Sequence, residues 1–182
     1  AKVEFKEGGA MAWSKSTGAK LVIVSLAGAV MGTAGAVGVA LAHDDPMPKN
    51  PSPATRAAYV RHENFEKLGK TFKTLNDELK KGSPSKAVIS SSTKTMLDLA
   101  NALPTWFPRG SGVEARPMSQ AKANIWTDAA GFNAVASNLR VQVAKLNQAA
   151  ESGDISAVKA QVRPTGGACE ACHDKFRNEK KN

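Results

Sequence analysis

Between residues 55 and 180 the apolar side chains recur three, four or seven positions apart, and that period makes helices the building elements. Ala58, Phe65, Leu68, Phe72, Leu75 and Leu79 form one stripe within residues 55–81. Val88, Ile89, Met96, Leu97, Leu99 and Leu103 form a second. Ile125, Trp126, Phe132, Val135, Leu139, Val143 and Leu146 form a third, in a helix expected from Ser119 to Glu151. A fourth helix begins near Asp154, a good N-cap, with an interruption expected at Pro164-Thr165-Gly166-Gly167 before it resumes over Ala168–Lys180. Ser52-Pro53 can open the first helix, Gly82-Ser83-Pro84 separates it from the second, and Leu103-Pro104 ends the second. One long connection, residues 104–118, holds three prolines and two glycines. The expected fold is all-α: an antiparallel four-helix bundle over residues 55–182, preceded by a proline-rich tether (43–54) and an apolar N-terminal helix.

The chain has two cysteines, too few and too close for a disulfide framework. A structural zinc site would need four ligands, and no second Cys/His pair completes one. A thioredoxin-like pair would need a βαβ setting, which the helical pattern does not offer. Cys169-Glu170-Ala171-Cys172-His173 is instead the C-x-x-C-H spacing of covalent c-type haem attachment. Two thioethers fix one edge of the macrocycle, and the next residue then lies under the ring with its imidazole in reach of the iron. One haem c per chain is expected, with His173 as metal ligand.

Residues 21–42 form an uncharged run of 22 residues, preceded by Lys15 and Lys20 and ending in the small-residue pattern Ala40-Leu41-Ala42. A cleaved secretory signal peptide and a retained membrane anchor both fit this layout. Both export residues 43–182 across the cytoplasmic membrane, so the haem domain is expected in the periplasm, soluble or anchored, with membrane contact through residues 21–42 if they are kept. The formal charge of +9 falls to +7 without residues 1–42, which hold four lysines and two glutamates. The lysines are scattered and no basic stripe with interleaved aromatics appears, so nucleic acid is not an expected partner.

The C-terminal placement of the haem motif resembles cytochrome c′, the class II c-type cytochromes. Four segments carry the likeness in order: Arg61-His62-Glu63-Asn64-Phe65-Glu66-Lys67-Leu68-Gly69, Leu103-Pro104-Thr105-Trp106-Phe107-Pro108, Ala123-Asn124-Ile125-Trp126, and Gly166-Gly167-Ala168-Cys169 through Arg177. The resemblance implies that Phe65, four residues after Arg61, covers the haem face opposite His173. It also implies that Arg177 lies close to the proximal face and Arg61 near a propionate; a surface arginine is the competing reading for Arg61. Trp126 is expected against the haem or the core.

Phenylalanine cannot ligate iron, and the first helix lacks the methionine that six-coordinate relatives carry there, so the resemblance implies a five-coordinate iron open to nitric oxide and carbon monoxide. His62 is the rival ligand, offset by roughly 60° from Phe65 on the helix. Met96, Met118 and Met47 are poorly placed. A six-coordinate iron would suit a tethered or periplasmic electron carrier with a redox partner protein. No acid–base pair for a haem enzyme is evident beyond His62 with Arg61, which lacks positioned proton transfer, so no catalytic residue is assigned. A homodimer through the first two helices, as the resemblance implies for many members, is a further possible partnership.

Overall fold

The computed structural model describes residues 45–179, and everything below concerns them. The expected apolar N-terminal helix and the leader or anchor of residues 1–42 lie outside the described residues. The chain forms α1 (Pro53–Leu79), α2 (Lys86–Ala102), a 3-10 turn (Leu103–Trp106), a single-turn α3 (Asn124–Thr127), α4 (Ala129–Glu151) and α5 (Ile155–Phe176). The fold is all-α, with α1, α2, α4 and α5 as the four bundle helices.

Local chemistry sets the helix ends. Ser52 Oγ accepts from Thr55 N ahead of Pro53, and Ser85 Oγ accepts from Val88 N. At the corner between them the buried Glu78 carboxylate accepts from Ser85 N at 2.8 Å and from Lys81 Nζ at 2.6 Å. Asp154 caps α5 through Ser156 N and Ala157 N.

Cross-contacts fix the direction of every neighbour. Thr93 on α2 donates to Asn147 on α4 at 3.1 Å, while Phe107, just beyond α2, meets Phe132 at the start of α4 with ring centroids 4.7 Å apart. Gln161 on α5 donates to Gln142 on α4, and Phe176 meets Phe132 at 5.4 Å. Glu78 at the end of α1 accepts from Ser85 at the start of α2, while Phe65, midway along α1, meets Trp106 beyond the end of α2 at 5.2 Å. Each helix is therefore antiparallel to the next. The core between them holds Leu75, Ile89, Met96, Leu103, Val143, Leu146 and Val158, all nearly inaccessible. Burying each such aliphatic side chain stabilises by about 1.5–3 kcal/mol.

Two helix expectations are corrected. The helix expected from Ser119 is broken: Ala121 pairs with Arg177 in an antiparallel bridge, and α4 begins only at Ala129. Asp128 causes the break, because its carboxylate accepts from Gly131 N at 2.9 Å and so caps a new helix. Conversely, α5 runs unbroken through Pro164. The carbonyl that proline leaves unpaired belongs to Ala160, which is exposed and can be hydrated, and the Thr165 hydroxyl donates to Gln161 O beside it at 2.9 Å. The same helix stops at Phe176, short of the expected Lys180.

Candidate haem site

Three sides of the bundle are closed by α1 on α2, α2 on α4 and α4 on α5, whereas α1 and α5 touch only briefly. Along that fourth side the largest apolar residues of the α1 stripe, Phe65 and Phe72, are only half-buried. Facing them, Val162, Cys169 and Cys172 of α5 are half-buried as well. A methyl group on Gly166 would stand 3.8 Å from the Phe72 ring, so Phe72 and Gly166 are opposed. The helices are antiparallel. Seven residues towards the start of α1 and seven towards the end of α5, about 10 Å in each, bring Phe65 to the level of His173.

Cys169 and Cys172 are free thiols three residues apart on this face. Burial pushes both thiols up, Cys172 to about 11 with Cys169 adding to the shift, so both are neutral at pH 7. Burial and then the Arg177 charge lower the pKa of His173, which keeps its imidazole neutral with a lone pair to offer. Two reduced thiols, a neutral imidazole in the next position and an apolar opposing wall fit a covalently held haem. Among the described residues no cluster of three or more His, Cys, Asp or Glu could hold a metal ion by itself, so a single histidine ligand needs a macrocycle to complete it.

The remaining expected residues fall in two places. Phe65 stands edge-on to Trp106 at 5.2 Å and to Phe107 at 6.1 Å. Arg61 is 4% exposed, which overturns its reading as a surface arginine. It donates to Trp106 O at 3.2 Å, Ser111 Oγ at 2.8 Å, Ser111 O at 2.5 Å and Ser119 Oγ at 3.3 Å, with its guanidinium 4.7 Å over the Phe107 ring. Burial, and then Arg116, push its pKa down to about 10, still charged at neutral pH. Arg61 thus pins the long connection whose aromatics back Phe65. Trp126 is half-buried and its indole donates to Phe107 O and Pro108 O, both at 3.1 Å. His62 lies 3.5 Å from Glu66, one turn along α1. Met96 is core, and Met118 is 57% exposed.

Arg177 does not continue the helix. Its backbone is extended, its N–H still donates to His173 O at 2.9 Å, and its guanidinium donates to Gln120 Oε1 at 2.8 and 2.6 Å. The sequence gives no local sign of Gln120 as a partner, nor of Ser111 and Ser119 as partners of Arg61, because each pair is 50 or more residues apart. Asp128 did carry a signal, an N-cap residue before Ala-Ala-Gly, which the continuous apolar stripe obscured.

Known proteins share this fold. The family model described as cytochrome C′ matches residues 56–177. Cytochrome c′ of Pararhodospirillum photometricum is 30% identical over 126 residues, 68% of this chain and 99% of that one. Cytochrome c′ of Rubrivivax gelatinosus is 44% identical over 70 residues, 38% of this chain, so the matched stretch spans 54% of that relative. Its crystal structure superposes with a TM-score of 0.62 at 30% identity, covering 71% of this chain and all of that one. A variant of the Alcaligenes xylosoxidans protein, solved in the ferrous state with bound nitric oxide, shares the fold with a TM-score of 0.64 at 23% identity, over 72% of this chain and 100% of its own. With its four helices, its attachment motif near the end of the last one and a family match over most of its length, the chain belongs to the cytochrome c′ family.

Proposed function

We propose that this chain holds one haem c through Cys169 and Cys172, ligates it with His173, and keeps the opposite face for small gases. The observation that carries the reading is the register of the open side, which sets Phe65 level with His173 across from the two thiols. When bound, the haem supplies an iron able to take nitric oxide or carbon monoxide and to exchange an electron. The protein's own part is steric and electrostatic. Phe65 offers no donor atom, so its ring excludes water and larger ligands from the distal face. Its edge contacts with Trp106 and Phe107 hold it there, and moving it off its favoured rotamer costs about 1 kcal/mol. Arg61 acts by fixing the loop behind Phe65. Trp126 locks the same loop from the other side, and Arg177 adds positive charge near the proximal imidazole.

His62 as sixth ligand is disfavoured by its position beside Glu66. The family resemblance and the apolar run of residues 21–42 support a periplasmic location for the domain, and no catalytic residue is proposed. Among the described residues no helix is long and apolar enough to cross a membrane, so membrane contact would rest on residues 21–42. Resonance Raman and magnetic data at neutral pH test the reading. High-spin, five-coordinate iron is expected; a low-spin, six-coordinate iron would replace it with the electron-carrier function.

A further inference from the structure

The last turn of an α-helix leaves carbonyl groups without an intrahelical partner, and such ends fray. In α5 that turn carries His173, yet its carbonyls are taken one after another. His173 O accepts from Arg177 N at 2.9 Å and Phe176 O from Lys122 N at 3.0 Å. Asp174 O accepts from Lys122 Nζ at 2.9 Å and Lys175 O from Asn124 Nδ2 at 3.2 Å. Asn178 N donates back to Gln120 O at 2.7 Å, and Lys175 Nζ pairs with Asp128 at 2.9 Å. Residues 120–128 thus form a short strap laid along the end of the helix. Two of its bonds come from the side chains of Lys122 and Asn124. Both end on the turn on which His173 stands.

We infer that Lys122 and Asn124 are positioning residues for the iron ligand: they hold the His173 turn rigid and so set the strength of the iron–histidine bond. The inference rests on the proposed ligation by His173. A ligand fixed by a satisfied helix end keeps one orientation towards the iron, and outer groups that orient a ligand tune its metal bond. A frayed end would let the imidazole tilt and withdraw.

The test uses ferrous full-length holoprotein and the variants Lys122→Met, Asn124→Asp and Lys122→Arg. Lys122→Met removes the donor to Asp174 O, Asn124→Asp replaces the donor to Lys175 O with a charged acceptor of the same shape, and Lys122→Arg keeps a donor. Resonance Raman reads the iron–histidine stretch, and circular dichroism reads the melting temperature. The expected result is a narrow band in the natural protein and a broadened band at lower frequency in Lys122→Met and Asn124→Asp, with Lys122→Arg unchanged. No iron–histidine band in the natural protein would sink the ligation itself. An unchanged band in both donor-less variants, with melting lowered or not, would show a merely structural strap and overturn the inference.

Discussion

Phe65 is large, apolar and on the core stripe, yet only partly buried, and that mismatch is what makes it informative. A residue of this kind is held by its ring neighbours rather than by enclosure. Replacing it with alanine removes the edge contacts to Trp106 and Phe107, each worth about 0.5–1.5 kcal/mol. The expected stability loss in Phe65→Ala is about 2 kcal/mol, below the range for a fully buried phenylalanine. Stopped-flow carbon monoxide binding should accelerate about fivefold, because the barrier of about 1 kcal/mol for displacing the ring disappears. An unchanged rate would remove Phe65 from the distal face. Arg61 behaves differently, since it is enclosed and surrounded by oxygen acceptors. Arg61→Met would leave the Trp106 and Ser111 carbonyls without their donor at a cost of about 3 kcal/mol, read as a lower urea midpoint. The sequence places Arg61 four residues before Phe65. It cannot reveal Ser111 and Ser119 as partners, because that depends on how a proline-rich loop closes over the bundle end.

At the scale of the elements, the stripes, caps and breakers of α1 and α2 were legible because each signal is local and they agree. The two departures came from competing local chemistry. A single Asx cap at Asp128 outweighed a continuous apolar pattern, and a solvated proline did not stop α5. The continuity of α5 has a direct consequence. Pro164 occupies a helix interior, so Pro164→Ala should raise stability, by up to about 3 kcal/mol, as a higher melting temperature; a decrease would mean that the helix needs its break. The helix ends also respond to acid. Lys81 and the Ser85 N–H hold Glu78 below the usual carboxylate range, and Lys175 does the same for Asp128, as do the Ser156 and Ala157 donors for Asp154. Groups with a depressed folded pKa contribute stability that is complete above the ordinary carboxylate value, about 4, and is lost as pH falls through the folded pKa. Urea midpoints should therefore be flat from pH 7 to about 5 and fall below about 4. Glu78→Gln with Asp154→Asn should flatten that fall, and a fall of undiminished steepness would place the acid sensitivity elsewhere.

For the whole molecule, the class of fold and the attachment motif could be read before any coordinates, whereas the slot between α1 and α5 could not. It follows from Phe72 standing opposite Gly166, a relation between residues 94 positions apart that only the packed bundle reveals. That slot joins the two halves of the functional reading, thiols and imidazole on one helix and a non-ligating aromatic on the other. Everything proposed about gases, the distal ring and the strap on His173 depends on a haem fixed to both cysteines. The direct measurement is a pyridine haemochrome spectrum of the purified protein after acid–acetone extraction. The account predicts that the haem stays with the protein pellet and gives the spectrum of a macrocycle with both vinyl groups saturated. Haem that passes into the acetone, or a protein without any, would contradict it.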